Sequence, residues 1–170
     1  TVDGTIPVAD SPRYTLPIEI LETTQVRARA FSPHHIASDI PSKTVSGLYL
    51  VTASETRKFT SNLPILVLDT YGSQVPSTNS SIRADTAALL FDLSRDGQSA
   101  LANKPDLITR AGVRARGSSS GGAAKVPMTM ELRRDDSEED RDVSLLGMPL
   151  ESDWILQGPY YFDRSLNRNA

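Results

Sequence analysis

Gly112-Val113-Arg114-Ala115-Arg116-Gly117-Ser118-Ser119-Ser120-Gly121-Gly122-Ala123-Ala124-Lys125-Val126-Pro127-Met128-Thr129-Met130-Glu131-Leu132 is the stretch on which the fold turns. Ala111, Val113 and Ala115 alternate with Gly112, Arg114 and Arg116. After the Gly/Ser tract, Met128, Met130 and Leu132 alternate with Thr129, Glu131 and Arg133. A period of two over both runs predicts two strands with one buried face each, and Gly117 to Ala124 can close them into an antiparallel hairpin. Arg114 or Arg116 is then expected opposite Glu131 across the ladder.

The loop has the composition of a phosphate cradle: glycines leave backbone N–H groups unobstructed, three serines add hydroxyls, and Lys125 follows as a mobile cation. Gly117 and Gly122 have the spacing of the two P-loop glycines. Ala123 and Ala124 stand at the lysine and Ser/Thr positions, however, and a strand rather than a helix is expected after Pro127. It is not a P-loop. A glycine-rich hairpin covering phosphate, with a lysine on the next strand, is instead the logic of a protein-kinase small lobe. A plain Gly/Ser hairpin remains the alternative.

Downstream, Asp135-Asp136-Ser137-Glu138-Glu139-Asp140-Arg141-Asp142 reads as a solvated surface loop. Leu145-Leu146-Gly147-Met148-Pro149 reads as a turn, and Asp153-Trp154-Ile155-Leu156-Gln157 as a strand anchored by Trp154. Asp163 can cap a helix beginning at Arg164. Upstream, Leu63-Pro64-Ile65-Leu66-Val67-Leu68-Asp69 is nearly all apolar, predicting a strand buried on both faces, with Pro64 near its start. Tyr71 to Ser81 reads as a loop. Thr86-Ala87-Ala88-Leu89-Leu90-Phe91-Asp92-Leu93 has helix-favouring residues. It is short and ends on Ser94-Arg95-Asp96-Gly97, so a strand is expected. Asp69 and Asp92 are expected as strand-end turn residues rather than a catalytic pair.

The N-terminal part has its own pattern. Asp3-Gly4 is a turn dipeptide. Ile18 and Ile20, then Val26, Ala28 and Ala30, alternate with polar neighbours, which puts the apolar set on a buried face and Arg27 and Arg29 on a solvated one. With Gly47-Leu48-Tyr49-Leu50-Val51 as a further strand, a β-sandwich is expected over residues 1–57. About 50 residues bury too little to stand alone, so this part is expected to lean on residues 58–170 or to be only marginally ordered. His34-His35 reads as an exposed pair without further metal ligands.

Composition closes off several classes. The chain has 170 residues, 38% hydrophobic and 23% charged, which is ordinary globular material. A net charge of -3 supplies no electrostatic motive for nucleic-acid binding. The absence of cysteine excludes disulfides, thiolate zinc sites and cysteine nucleophiles. No apolar run approaches the roughly 20 residues of a membrane span. The first residues lack the charged and apolar regions of a signal peptide, as a processed segment also would. An extracellular or cell-surface setting is the expectation, with the address itself open.

Two resemblances organise these observations. Arg116-Gly117-Ser118-Ser119, Lys125, Gly147-Met148-Pro149, Asp153-Trp154 and Asp163-Arg164-Ser165-Leu166-Asn167-Arg168-Asn169 occur in the order seen in the CotH-like (spore coat protein H) atypical protein kinases, which residues 58–170 resemble. This chain departs from that pattern in having Ala124 and Val126 beside the lysine and a glycine-rich loop where an aromatic residue is common. The resemblance implies an antiparallel β small lobe running into the start of a helix. It makes Arg116, Gly117, Ser118, Ser119 and Lys125 nucleotide-phosphate contacts, and Asp163, Arg168 and Asn169 the family's helix-start motif. It implies ATP and Mg for the full-length protein, with a protein substrate, and places the catalytic and metal-binding groups downstream, so none is assigned here. The chain by itself is then expected to be an inactive fragment lacking the catalytic lobe.

Residues 1–57, through Asp3-Gly4-Thr5-Ile6-Pro7, Tyr14-Thr15-Leu16-Pro17-Ile18 and Thr23 to Phe31, resemble the chitobiase/β-hexosaminidase C-terminal Ig-like module, truncated at its N-terminus. Such modules act as spacers or accessory domains. The alternative function is accordingly a non-catalytic extracellular or surface-associated β module with a structural or carbohydrate-related role. A sugar-cleaving enzyme lacks a motivated carboxylate pair.

Overall fold

In the computed structural model, residues 1–32, 41–117 and 124–158 are described. Among these described residues nine strands form: β1 (Thr24–Ala28), β2 (Val45–Tyr49), β3 (Thr60–Ser61), β4 (Ile65–Asp69), β5 (Ala84–Phe91), β6 (Ser99–Ala100), β7 (Leu107–Ala115), β8 (Met128–Arg133) and β9 (Asp153–Leu156). One three-residue 3-10 turn, Thr56–Lys58, precedes β3. The protein is mainly β and every ladder is antiparallel. The main sheet has five strands in the order β4-β5-β7-β8-β9, while β1-β2 and β3-β6 form separate two-stranded ribbons.

Strand β5 is the centre of this arrangement. Its Ala/Leu content favours helix locally, but seven of its eight residues are buried because β4 and β7 pair on its edges and both faces are covered. On one face Ala84, Ala88 and Leu90 join Ala111 and Val113 of β7 and Met130 and Leu132 of β8. Leu145 closes that core, with Val143, Trp154 and Leu156 packed against it. On the other face Ala87, Leu89 and Phe91 form a second core with Ile65 and Val67, covered by Leu48, Leu50, Tyr71 and Leu101. The two faces follow from the strict alternation of strand side chains.

The β1-β2 ribbon thus lies over the second face, giving a sandwich-like layering through Leu48 and Leu50. A lone two-stranded ribbon is marginal in water, and the Leu48 and Leu50 contacts give this one apolar cover.

Several expectations need correction. The run expected to be buried on both faces, Leu63 to Asp69, becomes β4, an edge strand of intermediate burial with Leu66 exposed; the doubly buried strand is β5. Pro64 does sit immediately before β4. Among the described residues 1–57, only β1 and β2 are strands, and the Ile18–Ile20 run forms none. Asp3-Gly4 makes a turn without flanking strands. Gly4 takes φ 79°, and Asp3 Oδ1 accepts from both the N–H and the hydroxyl of Thr5. In β1 the faces are reversed: Gln25 and Arg27 point inward and Ala28 is exposed. The reason is the surface that β1 meets. Beyond the Leu48 contact, the second face of the sheet is polar, and polar side chains can bond to it. The Asp163 helix start and His34-His35 lie outside the described residues.

Candidate functional site

The β7–β8 hairpin forms as the alternation requires, in register from Arg110↔Arg133 to Ala115↔Met128. One pair further on, Arg116 donates its N–H to Pro127 O at 2.8 Å, so the ladder closes around the loop and brings Arg116, Gly117 and Lys125 to one end of the hairpin. Gly117 takes φ 95°, the left-handed region that favours glycine, as the chain leaves β7. Ala115 N–H donates to Pro76 O at 2.8 Å, so the β4–β5 loop braces this end. After β9 the chain passes close behind the lysine. A Cβ on Gly158 would lie 2.6 Å from Lys125 O and 3.0 Å from Pro127 N, so only glycine fits there undisturbed. Arg116 is exposed and Lys125 partly buried. Ser118, Ser119, Arg168 and Asn169 lie outside the described residues, as does Asp163. That β8 is a strand agrees with the exclusion of a P-loop.

The register displaces one expected pair. Glu131 stands opposite Gly112, and Arg114 stands opposite Thr129. Glu131 instead holds Arg83 (Nη1 to Oε2, 2.7 Å) and Arg133 (Nε to Oε1, 3.2 Å), while Arg114 donates to Ser80 O. Gly112 is the cause: the Arg133 guanidinium lies against its bare Cα, 2.5 Å from where a Cβ would be.

These side chains belong to a charged band on the second face of the sheet. Arg133 Nη1 also reaches Asp85 Oδ1 at 2.8 Å. Next to it, three arginines converge on Glu138: Arg110 at 2.8 Å, Arg27 at 3.3 Å and Arg133 at 3.5 Å. Arg27 and Arg110 are 1% and 4% exposed, and their terminal guanidinium nitrogens find acceptors, although the buried Arg27 Nε has none. Arg27 donates to Gly4 O and Asp135 O as well as to Glu138, and Arg110 to Arg134 O, Ser137 O and Glu138. Ser46 Oγ of β2 also donates to Asp135 O. The acidic run is therefore not merely solvated. Glu138, though half exposed, sets its carboxylate against these buried guanidinium groups and ties β1 to β7 and β8.

Burial alone would raise the Glu138 carboxyl. The hydrogen bond and charge of Arg110, with help from Arg27 and Arg133, hold it below its ordinary value instead. Burial, and then the neighbouring Arg110, lower Arg27, with Glu138 opposing. The sequence carried a signal for this band: Arg110, Gly112 and Arg114 on one face of β7 match Glu131 and Arg133 on one face of β8. Its partner Arg27 could not be read, because it lies 111 residues from Glu138.

Asp69 and Asp92 behave as turn residues: Asp69 Oδ1 accepts from Tyr71 N–H, and Asp92 Oδ1 from Leu93 N–H. Among the described residues no group of three or more His, Asp or Glu could hold a metal ion, and no helix is long and apolar enough to cross a membrane.

Fold and site together define a mainly β protein of antiparallel sheets, sandwich-like in its layering. A family model described as Fn3 associated matches residues 1–45, in keeping with an Ig-like N-terminal part. No curated protein and no solved structure matches the chain.

Proposed function

We propose that residues 58–170 are the N-terminal region of a CotH-like protein kinase and supply one wall of an ATP-phosphate site. The wall consists of Arg116, the Gly117 loop with Ser118 and Ser119, and Lys125. The observation that supports this reading is the Arg116 N–H to Pro127 O bond, which holds the loop's first residues and Lys125 at the same end of one hairpin. Backbone N–H groups in such a loop favour an anion, and a lysine beside them adds a point charge. Residues 1–57 serve as an accessory module docked on the sheet. The resemblance puts the metal-binding acids and the groups that move the proton on residues after Arg168-Asn169, and the protein substrate with them. These 170 residues by themselves therefore bind Mg-ATP weakly and transfer no phosphate.

Calorimetric titration of Mg-ATP into the wild type and Lys125→Ala tests this. Lysine-dependent binding supports the reading, and identical isotherms refute it. Phosphate transfer by the purified chain would refute the assignment of chemistry to later residues. A second reading, a non-catalytic surface-associated β module, is favoured by the Fn3-associated match over residues 1–45 and predicts no lysine-dependent binding.

A further inference from the structure

The chain carries one asparagine with a hydroxyl residue two places on and no proline between them: Asn79-Ser80-Ser81. Asn62, Asn103 and Asn167 have Pro64, Pro105 and Asn169 at that second place. The pattern matters chemically. An amide nitrogen is a poor nucleophile, because its lone pair is shared with the carbonyl, and a hydroxyl two residues on can accept its N–H and orient it. Proline between the two would fix φ and hold the side chains apart. A three-residue word of this kind recurs by chance, so the fold must decide whether it can be used.

The fold puts it where a bulky group fits. Asn79 lies in the loop between β4 and β5, at the corner of a turn closed by Ser80 N–H donating to Ser77 O at 3.1 Å. Asn79 and Ser81 are both exposed, and neither side chain has a hydrogen-bond partner among the described residues. The residues around them carry the structural contacts instead. Ser80 Oγ accepts from Ile82 N–H at 3.0 Å, Ser80 O accepts from Arg114 Nη1, and Pro76 O accepts from Ala115 N–H at 2.8 Å. The turn is thus anchored to β7 through its backbone, while the Asn79 amide and the Ser81 hydroxyl face solvent. A substituent on Asn79 breaks none of these bonds and buries no polar group without a partner.

We propose that Asn79 is the acceptor of an N-linked glycan, a modification that neither the nucleotide reading nor the accessory-module reading requires. The donor is an oligosaccharide carried on a lipid pyrophosphate. Asn79 Nδ2 attacks the anomeric carbon of its reducing-end N-acetylhexosamine. The N–C bond forms as the carbon–oxygen bond to pyrophosphate breaks; the lipid pyrophosphate leaves with the bonding electrons, and the amide gives up one proton. Nothing is oxidised or reduced. Transfer acts on the chain before it folds, so the folded protein has to accommodate the sugar, and an exposed turn does so where a strand of the sheet would not. Because Arg114 and Ala115 hold the turn, the glycan stands beside the Arg116 end of the β7–β8 hairpin.

The test is expression of the chain behind a secretory leader in cultured animal cells, with intact-mass and peptide mass spectrometry of both the secreted and the cell-retained protein. Most of the wild-type chain is expected to carry a glycan, removed by an N-glycan amidase that converts Asn79 to aspartate. Asn79→Gln and Ser81→Ala should each lose the glycan entirely. Ser80→Ala should keep it, which separates the hydroxyl at the second place from its neighbour. Because transfer precedes folding, a variant that folds poorly is still scored in the retained fraction. Amidase treatment of the folded wild type should not raise its urea midpoint, since the turn holds the sugar without strain. An unmodified Asn79 in the wild type, a glycan that survives in Ser81→Ala, or a midpoint raised by removing the sugar would overturn the assignment.

Discussion

Replacing Glu138 by Gln removes one charge and little volume, and it tests whether this carboxylate ties the N-terminal ribbon to the sheet. Three guanidinium contacts change, at 2.8, 3.3 and 3.5 Å. The glutamate side chain is 52% exposed, so solvent screens each contact. Pairs of this kind contribute about 0.2–1 kcal/mol each. The buried ends raise the total: the Arg27 and Arg110 side chains are 0% and 5% exposed, and they lose their only carboxylate partner among the described residues. Truncating a fully buried pair costs about 3–5 kcal/mol. Gln keeps one oxygen for Arg110, so the expected destabilisation is about 2 kcal/mol, or roughly 4–8 °C in Tm for a chain of this size.

Urea unfolding reports it through Trp154, the single tryptophan, whose indole N–H donates to Glu151 O while its ring packs against the first core. Far-UV circular dichroism checks that the transition is shared. Glu139→Gln is the control: its neighbour Arg134 is 3.9 Å away and both side chains are well exposed. It should stay within about 0.5 kcal/mol of wild type. A Glu138→Gln protein as stable as wild type, or a Glu139→Gln protein equally weakened, would refute the inward tie and return the whole acidic run to solvent.

The same carboxylate sets an acid limb. Its folded pKa lies below the ordinary 4.5, so its contribution is complete above that value and lost as pH falls through the folded pKa. The stability difference between wild type and Glu138→Gln should therefore shrink below about pH 4.5, read from urea midpoints across pH. Thr129→Val removes a buried hydroxyl that has no partner, and should stabilise by about 1 kcal/mol with an unchanged urea m-value; a loss of stability would show that the hydroxyl is bonded. Gly112→Ala places a Cβ 2.5 Å from the Arg133 guanidinium and 3.1 Å from Arg83 Cβ, and should cost about 1–3 kcal/mol. Most of that cost should vanish in an Arg133→Ala background, measured as a double-mutant cycle.

What was legible in the chain was whatever depends on near neighbours. The alternation of Val113 and Ala115, and of Met128, Met130 and Leu132, is enough to define β7, β8 and their antiparallel pairing. The turn after Phe91 is enough to choose a strand over a helix for β5. The Gly/Ser tract with Lys125 marked the hairpin end, because the residues that meet there are close in sequence. Tertiary structure decided the rest. Whether a strand is central or at an edge depends on how many strands pair with it. The continuous apolar run of β4 therefore misled, and the Ala-rich β5 took the middle. Which face of β1 turns inward depends on the surface it meets. A period-two pattern identifies two faces and assumes that the apolar one is buried; here the opposing sheet carries Asp85, Arg110, Glu131 and Arg133, and Arg27 goes in. Glu138 looked like one more solvated acid because its partners lie on β1, β7 and β8. Only folding brings three arginines to one carboxylate, since charge pairing across 111 residues leaves no periodic trace in the chain.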